Sequence, residues 1–545
     1  MNLDTARVIT SENRRESTVK HHSCPHARTA RRPEPESFGG RGGWFLRTWF
    51  TANSMVAGLL ALIWLVLRSG PKPSRLAYPC QQAAFSAASL AFAAPLISAL
   101  VAARRGLVQG MRTPAAVAAS LLGLIITLGM WGHSSLADGP ETSMLVPPPD
   151  YRARVFRVTD CPQQPVGDRF VGLDNLLTLM GSQGLKFYRS ASVSLLAGPA
   201  GIIATDDVVV IKINYQWGER GGTNTDLLRG LIRAIVDHPD TFTGEVVVAE
   251  NAQFNSVSNF DRSANNAEDI TLSPHDVVVG FQTMGYNVSH SDWTSIRYDA
   301  VDEYSDGDMD DGYIVYDYDP GVSGRVSYPK FRTEGGTYIS LRDGIWDPAG
   351  SSYDRDRLKF LNLPVLKSHH ATYGVTACVK HYMGVVTREL NTNSHSAIGS
   401  GLLGALIGEI RLADLNILDC IWINANPYSG PSTTYGGATR LDQLVASTDP
   451  VAADIWAAKE ILIPAFLANG YTTPWPYPSA DPDDPGSAFR TYLDNSMNQM
   501  LDAGLVVTND MTQIDAVTWD GVGPLAIFVD GFESGNTGAW TSVVP

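Results

Sequence analysis

The chain has 545 residues, room for about three domains of average size. It is 44% hydrophobic and 18% charged, which excludes a fibrous or wholly disordered protein. The net charge of −15 is unevenly spread: residues 1–135 hold 15 Lys/Arg against 5 Asp/Glu, and the remainder hold 26 against 51. A body this acidic lacks the basic face that displaces counterions from phosphates, so no nucleic-acid partner is expected. The five cysteines (Cys24, Cys80, Cys161, Cys378 and Cys420) include no Cys-x-x-Cys pair, which argues against a zinc finger or a chain-encoded iron–sulfur cluster.

Residues 1–43 are polar, Arg-rich and aperiodic, and read as a disordered basic arm. Three uncharged stretches, 48–67, 76–103 and 113–137, make 44–135 the expected membrane unit: crossing a bilayer as helix takes about 20 apolar residues, and each stretch supplies roughly 17 or more. Trp44, Trp49 and Trp131 sit near their ends as interfacial aromatics do, and Pro95 is tolerable within a membrane helix. The expectation is a three-helix transmembrane unit with the lipid bilayer as partner. The arm carries Arg7, Arg14, Arg15, Lys20, Arg28, Arg31, Arg32 and Arg41, and after the third stretch no Lys or Arg appears before Arg152. By the positive-inside rule the arm is cytoplasmic. The protein is then expected to be signal-anchored, with its large C-terminal domain on the extracytoplasmic side.

After a Pro-rich linker, 136–152, the pattern changes to that of an α/β domain over 153–525. Residues 207–213 (DVVVIKI) and 245–249 (EVVVA) are short β-branched runs without polar alternation, as in strands buried on both faces. Between them, 224–236 has apolar residues at helical spacing. Further strands are predicted at 360–366, 415–423 and 441–446, and helices at 396–412, 450–461 and 488–503, with Pro450 suited to a first helical turn. The fold class expected is α/β, a mainly parallel sheet flanked by helices. Residues 251–351 break the alternation with a polar, acidic, aromatic stretch read as an insertion with strands of its own, such as 312–318. A C-terminal tail, 526–545, ends the chain.

Several segments, taken in order, resemble the bacterial and archaeal family called domain of unknown function 362. They are Val209-Val210-Ile211-Lys212-Ile213-Asn214, Thr223-Asn224-Thr225, the strand ending in Glu250, Leu363-Pro364-Val365-Leu366-Lys367-Ser368-His369, Val375-Thr376-Ala377-Cys378-Val379-Lys380-His381-Tyr382-Met383-Gly384, Asp414–Asp419 and Ser447–Asp454. The resemblance spans roughly 170–510. Ile213 stands where the family has Pro and His381 where it usually has Asn, and the ferredoxin-like cysteine cluster of some members is absent. The family has no settled reaction, so the resemblance implies a fold and a site more readily than an activity. The tail, Asp530-Gly531-Phe532-Glu533-Ser534-Gly535 with Trp540, resembles an ending found on exported bacterial proteins.

The chemistry-bearing residues cluster at predicted strand ends. In open α/β sheets ligands gather outside the carboxyl ends of the strands. Lys212, Lys367 and Lys380 there would hold phosphate or carboxylate groups, with Asn214, Thr223, Thr225 and Glu250 adding ligand contacts. A lysine near apolar walls or other cations has a lowered pKa and can act as base or imine-forming nucleophile. Lys212, Lys367, His369 and Lys380 are therefore the candidate catalytic residues, acting on an anionic small molecule. A non-catalytic ligand sensor, or a redox-associated subunit whose metal centre lies on a partner protein, would use the same cluster differently. His369, His370, His381 and His395 with Glu250 offer metal-ligand types without a specific spacing, and Cys378 is a further nucleophile candidate. Asp306, Asp308, Asp310 and Asp317 approach the spacing of a calcium loop.

Overall fold

The computed structural model describes residues 147–161, 165–253, 260–391, 393–471 and 478–521. The basic arm, the three apolar stretches and the C-terminal tail lie outside these residues. Among the described residues no helix is long and apolar enough to cross a membrane.

The domain is α/β, built on a mixed, mainly parallel sheet of ten strands flanked by helices. In chain order its first elements are β1 (Ala153–Val158), helix α1 (Val171–Ser182), β2 (Val208–Lys212), α2 (Thr225–Val236), β3 (Glu245–Glu250), α3 (Pro274–Thr283) and β4 (Val288–Asp292). A separate antiparallel sheet follows, with β5 (Gly312–Val315), β6 (Ser327–Arg332), β7 (Tyr338–Ser340), β8 (Gly344–Asp347) and β9 (Ser352–Asp354). The main sheet resumes with β10 (Leu358–Asn362), β11 (Val365–His369), β12 (Gly374–Thr376), α4 (Leu402–Glu409), β13 (Leu415–Asn424), β14 (Thr439–Ser447), α5 (Pro450–Ala457), α6 (Ala488–Asp502) and β15 (Ile514–Trp519). Its strand order is β15-β1-β14-β13-β10-β2-β3-β4. The run from β13 to β4 is parallel throughout, and β14 is antiparallel to both its neighbours.

The β-branched runs are central because both of their faces are covered. Val208 and Val210 of β2 enter one apolar cluster, while Val209 and Ile211 enter the other; Val247 and Ala249 of β3 divide from Val246 and Val248 in the same way. Helices α1, α2 and α3 cover one face, and α4, α5, α6 and the smaller sheet cover the opposite one. Helix α2 begins where Asn224 Oδ1 accepts from Leu227 N at 3.0 Å, and α3 where Ser273 and Asp276 form a reciprocal capping box ahead of Pro274.

Several expected boundaries differ for local reasons. The strand expected at 360–366 is two strands: Pro364 has no N–H to give the ladder, and the chain jogs before pairing with β13 again further along. The helix expected at 396–412 is a tight 3₁₀ turn and then α4, divided at Gly401, whose φ is +89°. The helix from Pro450 continues through a π turn at Ala458–Leu462 into Ile463–Ala468, with Pro464 in its first turn. Within 251–351 only part forms the separate sheet. Helix α3 and β4 belong to the main body, β4 completing its edge by pairing Val246 with Val288 through Glu250 with Asp292. The VSHSD sequence of β4 carries little strand signal, and the ladder of β3 recruits it.

Candidate functional site

Four chain segments converge at the carboxyl end of the parallel strands. Lys212 ends β2, in register with Ala249 of β3 and Asn362 of β10, and Glu250 ends β3. Strand β11 carries Lys367 and His369 beyond that level because it pairs with the far half of β13. The short helical turn Cys378–His381 supplies Lys380 and His381. These side chains line a cavity of about 230 Å³ together with Asn214, Gln253, Thr376, Gly384 and His395.

Lys212 and Glu250 form a buried ion pair, Nζ to Oε1 at 3.3 Å, and the Tyr215 backbone N–H donates to Glu250 Oε2. Burial lowers the Lys212 amine to about 8 against the pull of Glu250, and burial raises Glu250 against the pull of Lys212. The Lys367 ammonium donates to the Gly221 carbonyl at 2.5 Å. Burial lowers it to about 7, with Glu250 opposing and Lys380 and Lys212 assisting. Lys380 has no ion pair or hydrogen bond among the described residues. Its Nζ lies 4.7 Å from the centroid of the Tyr373 ring, a cation–π contact, and burial followed by the charge of Lys212 lowers it to about 7.

His381 has a defined tautomer. Asn362 Nδ2 donates to the Cys378 carbonyl at 3.1 Å and to Asn416 Oδ1 at 2.9 Å, so Asn362 Oδ1 is the end that meets His381 Nδ1 at 2.7 Å. An acceptor there requires Nδ1 to carry the proton. Burial, then the charges of Lys212 and Lys367, hold the imidazole well below its ordinary value against a smaller pull from the Ile213 backbone. The ring is therefore neutral. His369 Nδ1 pairs with Thr376 Oγ1 at 2.7 Å, and burial brings His395 down to about 4.

Of the eight residues singled out as catalytic or ligand-binding, Lys212, Lys367, His369, Lys380, Asn214 and Glu250 line this one cavity. Thr223 and Thr225 do not. Thr223 Oγ1 accepts from Asn214 N at 2.7 Å and donates to the Leu363 carbonyl at 3.3 Å, so it props the loop that carries Asn214. Thr225 Oγ1 donates to the Leu272 carbonyl at 2.9 Å. Among the described residues no three His, Cys, Asp or Glu side chains are grouped to hold a metal ion. Asp308 accepts from the backbone of Asp302 and Asp310 and pairs with Lys330. Cys161, Cys378 and Cys420 are buried, and Cys378 and Cys420 are free thiols. Burial and then Asp454 push the Cys378 thiol well up, opposite to what a nucleophile needs.

Sequence reasoning missed Gln253 and the support behind the site. The buried Asp454 carboxylate accepts from the backbone N–H groups of Cys378 at 2.6 Å and Val379 at 3.0 Å, fixing the start of the turn that presents Lys380 and His381. Asp419 accepts from Asn224 N and Ile421 N and so ties β13 to the start of α2. Both aspartates stand in the segments quoted for the family resemblance, which is the only signal that marked them.

Residues 357–459 match the family model described as "Domain of unknown function (DUF362)". That span runs from β10 to just past α5 and contains Lys367, His369, Lys380, His381, Asp419 and Asp454, whereas Lys212, Asn214, Glu250 and Gln253 lie before it. No curated protein and no solved structure matches the chain.

Proposed function

We propose that this protein binds a small anionic molecule at the three-lysine cavity. One observation carries the reading: Lys212, Lys367 and Lys380 are all buried around a single cavity in which Glu250 is the only acidic side chain among the described residues. Buried charges are normally paired, and an unmatched ammonium in a low-dielectric site is costly. A bound phosphate or carboxylate would supply the missing negative charge. Chemistry on that ligand would fall to the same residues. An amine held near pH 7 has an appreciable neutral fraction, which suits Lys367 or Lys380 to act as base or imine-forming nucleophile, with His369 beside them. We further propose that the apolar stretches at 48–67, 76–103 and 113–137 anchor the chain in the bacterial inner membrane with this domain on the periplasmic side. The Lys/Arg asymmetry around those stretches supports that placement.

The test is calorimetric titration of the full-length chain in mild detergent with inorganic phosphate and with propionate at about pH 6 and about pH 9. Binding at the lower pH that weakens at the higher, and that is lost in Lys367→Ala and Lys380→Ala, is expected. Affinity unchanged in both variants, or absent at both pH values, would overturn the reading.

A further inference from the structure

We infer that the cavity is shaped for a small hydroxylated anion, an organic phosphate or carboxylate bearing hydroxyl groups beside its charge, with Gln253 Oε1 and Asn214 Oδ1 accepting from those hydroxyls. The inference rests on the anion-binding reading and names the class of ligand within it.

Gln253 is 2% exposed and lines the cavity. Its Nε2 donates to the carbonyls of Met383 at 2.5 Å and Val386 at 2.8 Å. Two carbonyl acceptors can face only the NH₂ end of the amide, so the position of the oxygen is fixed. That oxygen is buried and has no hydrogen-bond partner among the described residues. The backbone of Gln253 also sits at φ +52°, a conformation a side chain of this kind rarely adopts, held by the two side-chain bonds and by its N–H to Asn251 Oδ1 at 3.1 Å. Asn214, 7% exposed, lines the same cavity and carries a second buried oxygen without a hydrogen-bond partner.

Buried acceptors in folded proteins are nearly always satisfied, so a group of them around one cavity marks where a ligand's donors belong. The lysines offer only donors, and the amide oxygens offer only lone pairs. A simple carboxylate answers the first set and leaves the second empty, whereas an anion that also bears hydroxyl groups answers both. The volume of about 230 Å³ lies below the ~300–1,000 Å³ typical of drug-sized ligand pockets, which suits a small ligand.

The experiment titrates the full-length chain with two matched pairs, glycerol 3-phosphate against propyl phosphate and glycerate against propionate. Within each pair the members differ only in hydroxyl groups. The hydroxylated member of at least one pair should bind tighter by about tenfold or more, ~1.4 kcal/mol per tenfold. Gln253→Met, whose thioether is only a weak acceptor, should reduce that preference while leaving the plain anion bound. Equal affinities within both pairs on the unmodified chain would overturn the hydroxyl inference and leave the anion site standing. No binding of any of the four would sink the anion reading itself. A preference that survives in folded Gln253→Met would remove Gln253 from the assignment. If that variant does not fold, the comparison on the unmodified chain still decides.

Discussion

Replacing Lys380 by Met should make the protein more stable, by an amount that depends on pH. The two side chains are similar in length, so the substitution removes a buried ammonium without opening a large cavity. Lys380 is held at about 7 against an ordinary 10.5. At ~1.4 kcal/mol per pH unit, that difference corresponds to roughly 5 kcal/mol as an upper figure. Below about pH 7 both folded and unfolded chains carry the proton and the full penalty stands. Between about 7 and 10.5 the unfolded chain binds a proton that the folded chain does not, so the stability of the unmodified protein rises with pH across that window. Lys380→Met should therefore exceed the unmodified chain by on the order of 3–5 kcal/mol near pH 6, shrinking to roughly 1–2 kcal/mol near pH 9.5. Urea denaturation of both full-length chains at those two pH values, followed by tryptophan fluorescence, measures this through the transition midpoints. The variant should also lose the response to phosphate. A variant no more stable than the parent at pH 6, or a difference that does not shrink with pH, would refute the argument that Lys380 is an unmatched buried charge.

Gly384→Ala would place a Cβ 2.7 Å from Glu250 Oε1 and 2.8 Å from Lys212 Cε, with those atoms hemmed in by the cavity wall. It should part the Lys212–Glu250 pair and weaken phosphate binding about tenfold or more while circular dichroism stays unchanged, because a broken buried pair leaves its charges uncompensated. Asp454→Asn should destabilise by roughly 1–3 kcal/mol, since an amide NH₂ then faces one of the two backbone N–H groups that the carboxylate now satisfies. Because the turn it holds presents Lys380 and His381, binding should fall as well, read by denaturation and titration of the same sample.

The central strands were legible because their residues are. Val208–Lys212 and Glu245–Glu250 are apolar on both faces, and only a strand covered on both sides has that pattern. Lys212 was legible as the polar residue that ends such a run, and Lys367 with His369 by the same logic. The edge strand Val288–Asp292 was not legible, because its side chains are mostly polar and its backbone is ordered by pairing with β3. Gln253 was equally hidden: nothing in its neighbours announces a left-handed backbone or an amide pinned by Met383 and Val386, about 130 residues away. The partners of the aspartate run at 306–317 were hidden as well: Asp308 accepts from the backbone of Asp302 and Asp310 and pairs with Lys330.

The sequence by itself determined the α/β class, the order of the central elements and the lysines at the strand ends, because hydrophobic periodicity and the ends of apolar runs are properties of neighbouring residues. Only the tertiary structure decided that Lys212, Lys367 and Lys380 share one cavity with Glu250, that Thr223 and Thr225 spend their hydroxyls on backbone carbonyls outside it, and that Gln253 and Asn214 carry acceptors without a partner. Those outcomes depend on which strands lie side by side and on how completely water is excluded around them. Both are set by contacts between residues far apart in the chain, and burial is what turns an ordinary lysine into an amine poised near neutrality.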